Sequence, residues 1–188
     1  FEQLPSAIIA VVKTDQGIVG FGMGGDENQG KQRDFAYAFD MAREAGLRLT
    51  THAGEWRGPR EVEDAITDLR IERIGHGVRA YEDLALVDKL VENGIVLEVC
   101  PGSNVNLGVY PSLSRHPIER LRERGVKVTV STDDPPFFHT TMADEYEALA
   151  RTFGWDEEVF AEIARTSAEA AFCDEETRKA VMKRLDAR

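Results

Sequence analysis

Short apolar runs alternate with amphipathic stretches along most of the chain. Ile18-Val19-Gly20-Phe21-Gly22-Met23, Leu47-Arg48-Leu49-Thr50, Ile71-Glu72-Arg73-Ile74, Ile95-Val96-Leu97-Glu98-Val99-Cys100 and Val126-Lys127-Val128-Thr129-Val130 predict five short strands. Between them apolar residues recur at helical spacing. Phe35, Ala38, Phe39 and Ala42 form one such face, Val62, Ala65, Ile66 and Leu69 a second, and Leu84, Val87, Leu90 and Val91 a third. Ile118 and Leu121 mark a shorter helix after His116-Pro117. Gly46, Gly94 and Gly125 stand where these helices should stop. From about Thr141 the chain reads as helical, broken at Gly154 and recapped near Asp156, Ser167 and Asp174. Residues 5–13 are apolar throughout, so their periodicity leaves helix and strand open, although Pro5 suits a first helical turn. Thr14-Asp15-Gln16-Gly17 reads as a turn.

A polar or glycine-rich motif ends each of the five strands. Gly25 to His52 is 27 residues, His52 to His76 is 24, His76 to Ser103 is 27, and Ser103 to Asp133 is 30. That spacing holds one strand, one loop, one helix and one return loop, and consecutive units of this kind build a parallel sheet. Polar motifs at every strand C-terminus fit a (β/α)8 barrel best. An open doubly wound sheet is the alternative, but it would normally carry one glycine-rich phosphate loop at a switch point. Five units are not eight, so the expectation is an incomplete barrel, strands four to eight with trailing helices, forming the C-terminal part of one domain over residues 1–188.

Composition narrows the function classes. The chain has 188 residues, 42% hydrophobic and 30% charged, ordinary for a soluble globular protein. A formal net charge of -11 argues against nucleic acid or an anionic membrane as partner, since phosphate needs a basic surface. No apolar run approaches the roughly 20 residues of a spanning helix, and no signal-peptide pattern opens the chain. Two cysteines, Cys100 and Cys173, make no disulfide framework, so a reducing cytoplasm is the default.

The strand ends carry the candidate chemistry. His52 offers a neutral imidazole for a divalent metal, and Asp133 a carboxylate. Glu55, His76 and Asp134 would be free for acid–base work or substrate contacts, and Gly24-Gly25 would let backbone N–H groups approach a ligand. Plainer readings stand beside these. His76 between two glycines is also a turn histidine, and Asp133-Asp134-Pro135 is also a helix N-cap and turn. Ser103-Asn104 reads as a loop that hydrogen-bonds itself, Cys100 as buried packing, His116 as a structural residue at a helix start, and His139 as lid or surface.

Taken together, Gly24-Gly25-Asp26-Glu27, Thr51-His52-Ala53-Gly54-Glu55, Arg73-Ile74-Gly75-His76-Gly77, Cys100-Pro101-Gly102-Ser103-Asn104, His116-Pro117 and Ser131-Thr132-Asp133-Asp134-Pro135 resemble the adenosine deaminase family of metal-dependent amidohydrolases. The pieces run in family order over about residues 18 to 147. The resemblance implies zinc as cofactor, with His52 and Asp133 as ligands. It implies that Glu55 protonates a purine ring nitrogen, and that His76 orients and stabilises the attacking hydroxide. Asp134 and the Gly25 N–H would hydrogen-bond two other ring nitrogens. The His-x-Glu and Pro-Cys-x-x-Cys signature of the other zinc deaminase class is absent.

The chain departs from the family pattern twice. The family commonly has Asp three positions before the matching glycine, where this chain has Gly22, and it takes two further zinc ligands from a His-x-His that this sequence lacks. Those missing ligands, the three missing strands and a start at Phe1 set the expectation of a fragment whose partner is the N-terminal half of its own barrel. The implied reaction is hydrolytic deamination of adenosine or a related 6-aminopurine nucleoside. Adenine deaminase is the runner-up. In that subgroup the aspartates are usually followed by Pro-Ala-Tyr-Phe-Gly-Gly, here Pro135-Pro136-Phe137-Phe138-His139-Thr140. Aminodeoxyfutalosine deamination and a non-catalytic remnant are the remaining alternatives.

Overall fold

A computed structural model describes the backbone of residues 7–14 and 17–187 and the side chains of residues 17–187. Its centre is a six-stranded sheet in which sequence order is spatial order: β1 (Ala7–Thr14), β2 (Gly17–Gly25), β3 (Arg48–Ala53), β4 (Arg73–His76), β5 (Val96–Val99) and β6 (Lys127–Val130). From β2 to β6 every pairing is parallel. No strand in that run reverses the order, which excludes the switch point of a doubly wound sheet. The five βα units make the incomplete (β/α)8 barrel expected from the motif spacing. Residues 5–13, left open between helix and strand, are now decided for residues 7–13: they belong to β1, which pairs antiparallel with β2. Pro5 and the Asp15-Gln16 part of the turn lie outside the described residues.

Helices cover one side of the sheet. After β2 a 3₁₀ turn (Gln32–Phe35) leads into α1 (Ala36–Glu44), which stops at Gly46. After β3 comes α2 (Pro59–Asp64), continued as a π-helical turn (Ala65–Leu69). Val62, Ala65 and Leu69 are fully buried along it. After β4 a 3₁₀ turn (Val78–Glu82) precedes α3 (Leu84–Glu92), where the expected face is corrected. Asp83 caps the helix by accepting from the N–H groups of Ala85 and Leu86, and Leu86, Val87 and Leu90 face inward. Leu84 and Val91 are exposed instead.

After β5, α4 (Pro101–Asn106) and a 3₁₀ turn (Leu113–Arg115) precede α5 (Ile118–Glu123), whose Ile118 and Leu121 are buried. After β6 follow α6 (Pro135–Phe138), α7 (Met142–Phe153), α8 (Glu157–Ala170) and α9 (Glu175–Asp186). Thr141, Asp156 and Asp174 are the expected N-caps, and Gly154 closes α7 in the left-handed region. Ser167 starts no helix: it lies inside α8 and its hydroxyl donates to the carbonyl of Ile163 one turn back. Among the described residues no helix is long and apolar enough to cross a membrane.

Candidate active site at the strand ends

Side chains alternate across a strand, so each strand gives one set to the helices and the other to the opposite face. Leu49, Thr51 and Ala53 of β3 are buried on the helix side. Thr50 and His52 point to the other face, where Gly22, Gly24 and Gly75 lie beside them. Gly75 is needed there: a Cβ on it would stand 2.4 Å from Cδ2 of His52. The same face carries Glu98, which accepts from the hydroxyl of Thr50 at 3.0 Å and pairs with Arg73 at 3.0 Å.

At the C-terminal ends four of the predicted residues, His52, Glu55, His76 and Asp133, converge. His52 and His76 sit edge to face with ring centroids 5.0 Å apart. The ring nitrogens of His52 make no hydrogen bond among the described residues, so they remain available to a ligand. His76 is 2% exposed, and its Nε2 faces Glu55 Oε2 at 3.6 Å and Asp133 Oδ2 at 4.0 Å. His76 and Asp133 adopt left-handed backbone angles, φ 62° and 60°. That costs about 1–2 kcal/mol at each, and it turns the side chains off the strand axis into one mouth. Asp133 Oδ2 accepts from the hydroxyl of Ser103 at 2.7 Å. His52, His76, Cys100 and Asp133 line a common hollow of about 600 Å³. His52 also lines a smaller one of about 390 Å³ with Gly24, Gly25 and Glu27.

Glu55 is 9% exposed. Burial pushes its carboxyl up to about 7, helped by the nearby negative charges of Asp133 and Glu27 and opposed by hydrogen bonds from Trp56 and Asn104. His76 is pushed down to about 4, by burial first and by His52 second, which outweigh Asp133. Between about pH 4 and 7 the pair therefore keeps the proton on the acid and the imidazole uncharged. Burial, with the carboxylates of Asp133 and Glu55, pushes the Cys100 thiol up and makes it an unreactive core residue.

Asp134 is exposed at the N-terminus of α6, and its side chain makes no capping bond, so the plainer capping role does not hold it. Gly25 is exposed at the end of β2, with φ 137°. His139 is also exposed.

Four residues do more than the sequence showed. Ser103 and Asn104 are not a self-bonded loop; they lie fully buried on α4. Asn104 donates to Glu55 at 3.2 Å and lies 3.3 Å from His76 Nδ1 and 3.1 Å from His116 Nε2. His116 does sit at a helix start, but its far nitrogen reaches this network. Glu27 went unassigned, yet its carboxylate accepts three successive backbone N–H groups, Glu55 at 3.1 Å and Trp56 and Arg57 at 2.8 Å each. It thus shapes the loop that presents Glu55. Its place two residues after Gly25 was the available signal.

The donor set fits a divalent cation in kind, an unengaged imidazole at His52 and a carboxylate at Asp133. It falls short in number, because a catalytic zinc normally takes about three protein ligands. His76, Cys100 and Asp133 also bring ligand atoms within 4.8 Å of one another.

A family model described as adenosine deaminase matches residues 4–188. An adenine deaminase of Rhizobium leguminosarum bv. trifolii is 55% identical over 168 residues, covering 89% of this chain and 52% of the relative. Among solved structures, an adenine deaminase from Arthrobacter aurescens superposes with a TM-score of 0.87 at 31% identity, over 91% of this chain and 52% of that one. An amidohydrolase from Burkholderia ambifaria, solved with bound Zn, gives 0.79 at 28% identity, over 93% and 52%. The chain spans about half the length of the relatives it matches.

Proposed function

Because this chain belongs to the adenosine deaminase family, we propose that it supplies the acid, the orienting histidine and part of the metal shell for hydrolytic deamination of a 6-aminopurine. The observation that carries this reading is the convergence of Glu55, His76, Asp133 and His52 on one mouth at the strand ends. The remaining ligands would come from the rest of a longer barrel, consistent with the half-length match to relatives. Residues 1–188 are then the C-terminal part of one domain.

His52 and Asp133 would hold the zinc, and a bound divalent ion at that position would lower the pKa of water and so supply a nucleophile near pH 7. The chain's own groups do the rest. Glu55, protonated up to about pH 7, gives its proton to a ring nitrogen and so relieves the charge that builds when water adds at the amino-bearing carbon. His76, neutral and buried, directs a ring N–H into the space between Glu55 and Asp133, where the attacking oxygen must pass. Asp134, exposed next to Asp133, and the backbone N–H of Gly25, which lines a hollow with His52, would hydrogen-bond other ring nitrogens. Deep burial of Glu55 excludes the water that would otherwise level its acidity.

The free base adenine is the substrate we favour, since the relatives that share about half their sequence with this chain are named adenine deaminases. A nucleoside remains the second reading. It is supported by Pro135-Pro136-Phe137-Phe138-His139-Thr140 after the aspartates, which departs from the adenine deaminase pattern. The enzyme would act in the cytoplasm. Release of ammonia from adenine and adenosine, and of the substituted amine from N6-substituted purine nucleotides, by the full-length protein tests the reading. No release from any of them, with zinc bound, would overturn it.

A further inference from the structure

Four buried polar groups link the start of α5 to the candidate active site, and their bonding allows only one direction. The N–H of Ile118 is a donor and nothing else; it reaches Nδ1 of His116 at 3.1 Å, so that nitrogen carries no proton. A neutral His116 therefore holds its proton on Nε2, which faces Asn104 Oδ1 at 3.1 Å. With the amide reversed, an N–H would meet an N–H inside a fully buried pocket. Asn104 consequently turns its amino group to the site, where one hydrogen reaches Glu55 Oε1 at 3.2 Å and the other His76 Nδ1 at 3.3 Å. His76 Nδ1 must then accept, and the His76 proton stands on Nε2, toward Glu55 and Asp133.

We propose that Asn104 and His116 are positioning residues that lock His76 as its Nε2–H tautomer, with the backbone N–H of Ile118 fixing the direction of the whole chain of bonds. All three side chains are buried, with Asn104 0%, His116 1% and His76 2% exposed, so water cannot substitute for a lost partner. Tyr110 packs edge-on against His116 at 5.0 Å and limits rotation of its ring. The charged and titratable groups facing the network are Glu55, Asp133, His52 and Arg120. The catalytic consequence rests on the deaminase reading above, since a histidine with its proton on Nδ1 would offer the reacting oxygen a lone pair instead of a donor. The tautomer itself does not depend on that reading.

The test is long-range proton–nitrogen NMR of the ¹⁵N-histidine-labelled full-length protein, which reports which nitrogen of each ring is protonated. His76 and His116 should both show a bare Nδ1 and a protonated Nε2. Asn104→Asp keeps the shape and, once ionised at alkaline pH, offers only acceptors. His116 should stay as it is, while the His76 proton should appear on Nδ1. In that variant kcat should fall roughly 10–100-fold with KM little changed, the usual scale for a group that orients its neighbour. A wild-type His76 protonated on Nδ1 overturns the proposal without recourse to any variant. A variant with the reversed tautomer and unchanged kcat overturns the positioning role. The expected tautomers in a protein that deaminates no purine would leave the proposal standing and remove the functional reading.

Discussion

The two faces of the parallel sheet are built from the same strands and obey different rules. On the helix side Leu49, Ala53, Ile74, Leu97, Val99, Val128 and Val130 are each at most 6% exposed, and the helices close over them. On the other side stand Gly22, Gly24, Thr50, His52, Arg73, Gly75 and Glu98, held by hydrogen bonds, an ion pair and close backbone approach. One face is made by burial of interchangeable apolar groups, the other by specific pairs of polar ones. Stability should therefore reside in the first and chemistry in the second, and substitutions that cross this division should fail in different ways.

The sharpest test of the division is Glu55→Gln. It should keep the fold and the metal and lose about 10²–10⁴-fold in kcat, the range for a general acid. Wild-type turnover should decline as pH rises through about 7, where Glu55 gives up the proton it needs, and that limb should be missing from the variant. A pH–rate profile of both proteins checks this. Leu97→Ala, on the other face, should cost about 2–5 kcal/mol of stability in a denaturant titration, yet leave kcat per folded molecule unchanged. Loss of kcat without loss of stability in that variant would break the comparison.

Metal analysis comes next in size. Asp133→Ala should strip the metal, while Asp134→Ala should leave occupancy intact and slow purine turnover; equal metal loss in both would mean that their roles are misassigned. Gly75→Ala puts a methyl group against the His52 ring and should weaken metal affinity roughly 10–100-fold, on the scale of groups that orient a ligand. The smallest effect belongs to Thr50→Val, which removes the hydroxyl bond to Glu98 and should cost about 0.5–1.5 kcal/mol. A larger cost would show that the polar face also bears the stability of the sheet.

Most of the fold was legible because period and punctuation agreed. The five parallel strands, the caps at Thr141, Asp156 and Asp174 and the stop at Gly154 all have local causes. Residues 5–13 were undecidable because a continuous apolar run has no period; pairing with β2 settles it for residues 7–13. The inward face of α3 was misplaced at its edges: Val87 and Leu90 turn inward as the pattern suggested, but Leu86 joins them, and Leu84 and Val91 are exposed. Ser167 has a capping residue's chemistry but lies inside α8, where its hydroxyl bonds back to the preceding turn.

For the site, the sequence by itself determined which side chains stand at strand ends, since a strand's period and a barrel's repeat follow from local covalent geometry. It could not show that Asn104, His116 and Glu27 belong with them. Asn104 lies 49 residues from Glu55 and 28 from His76, and no local rule spans such gaps. Only the tertiary structure brings α4 and the start of α5 against the ends of β3 and β4. Burial there leaves each polar group to the partners the protein provides, and so decides where a proton sits.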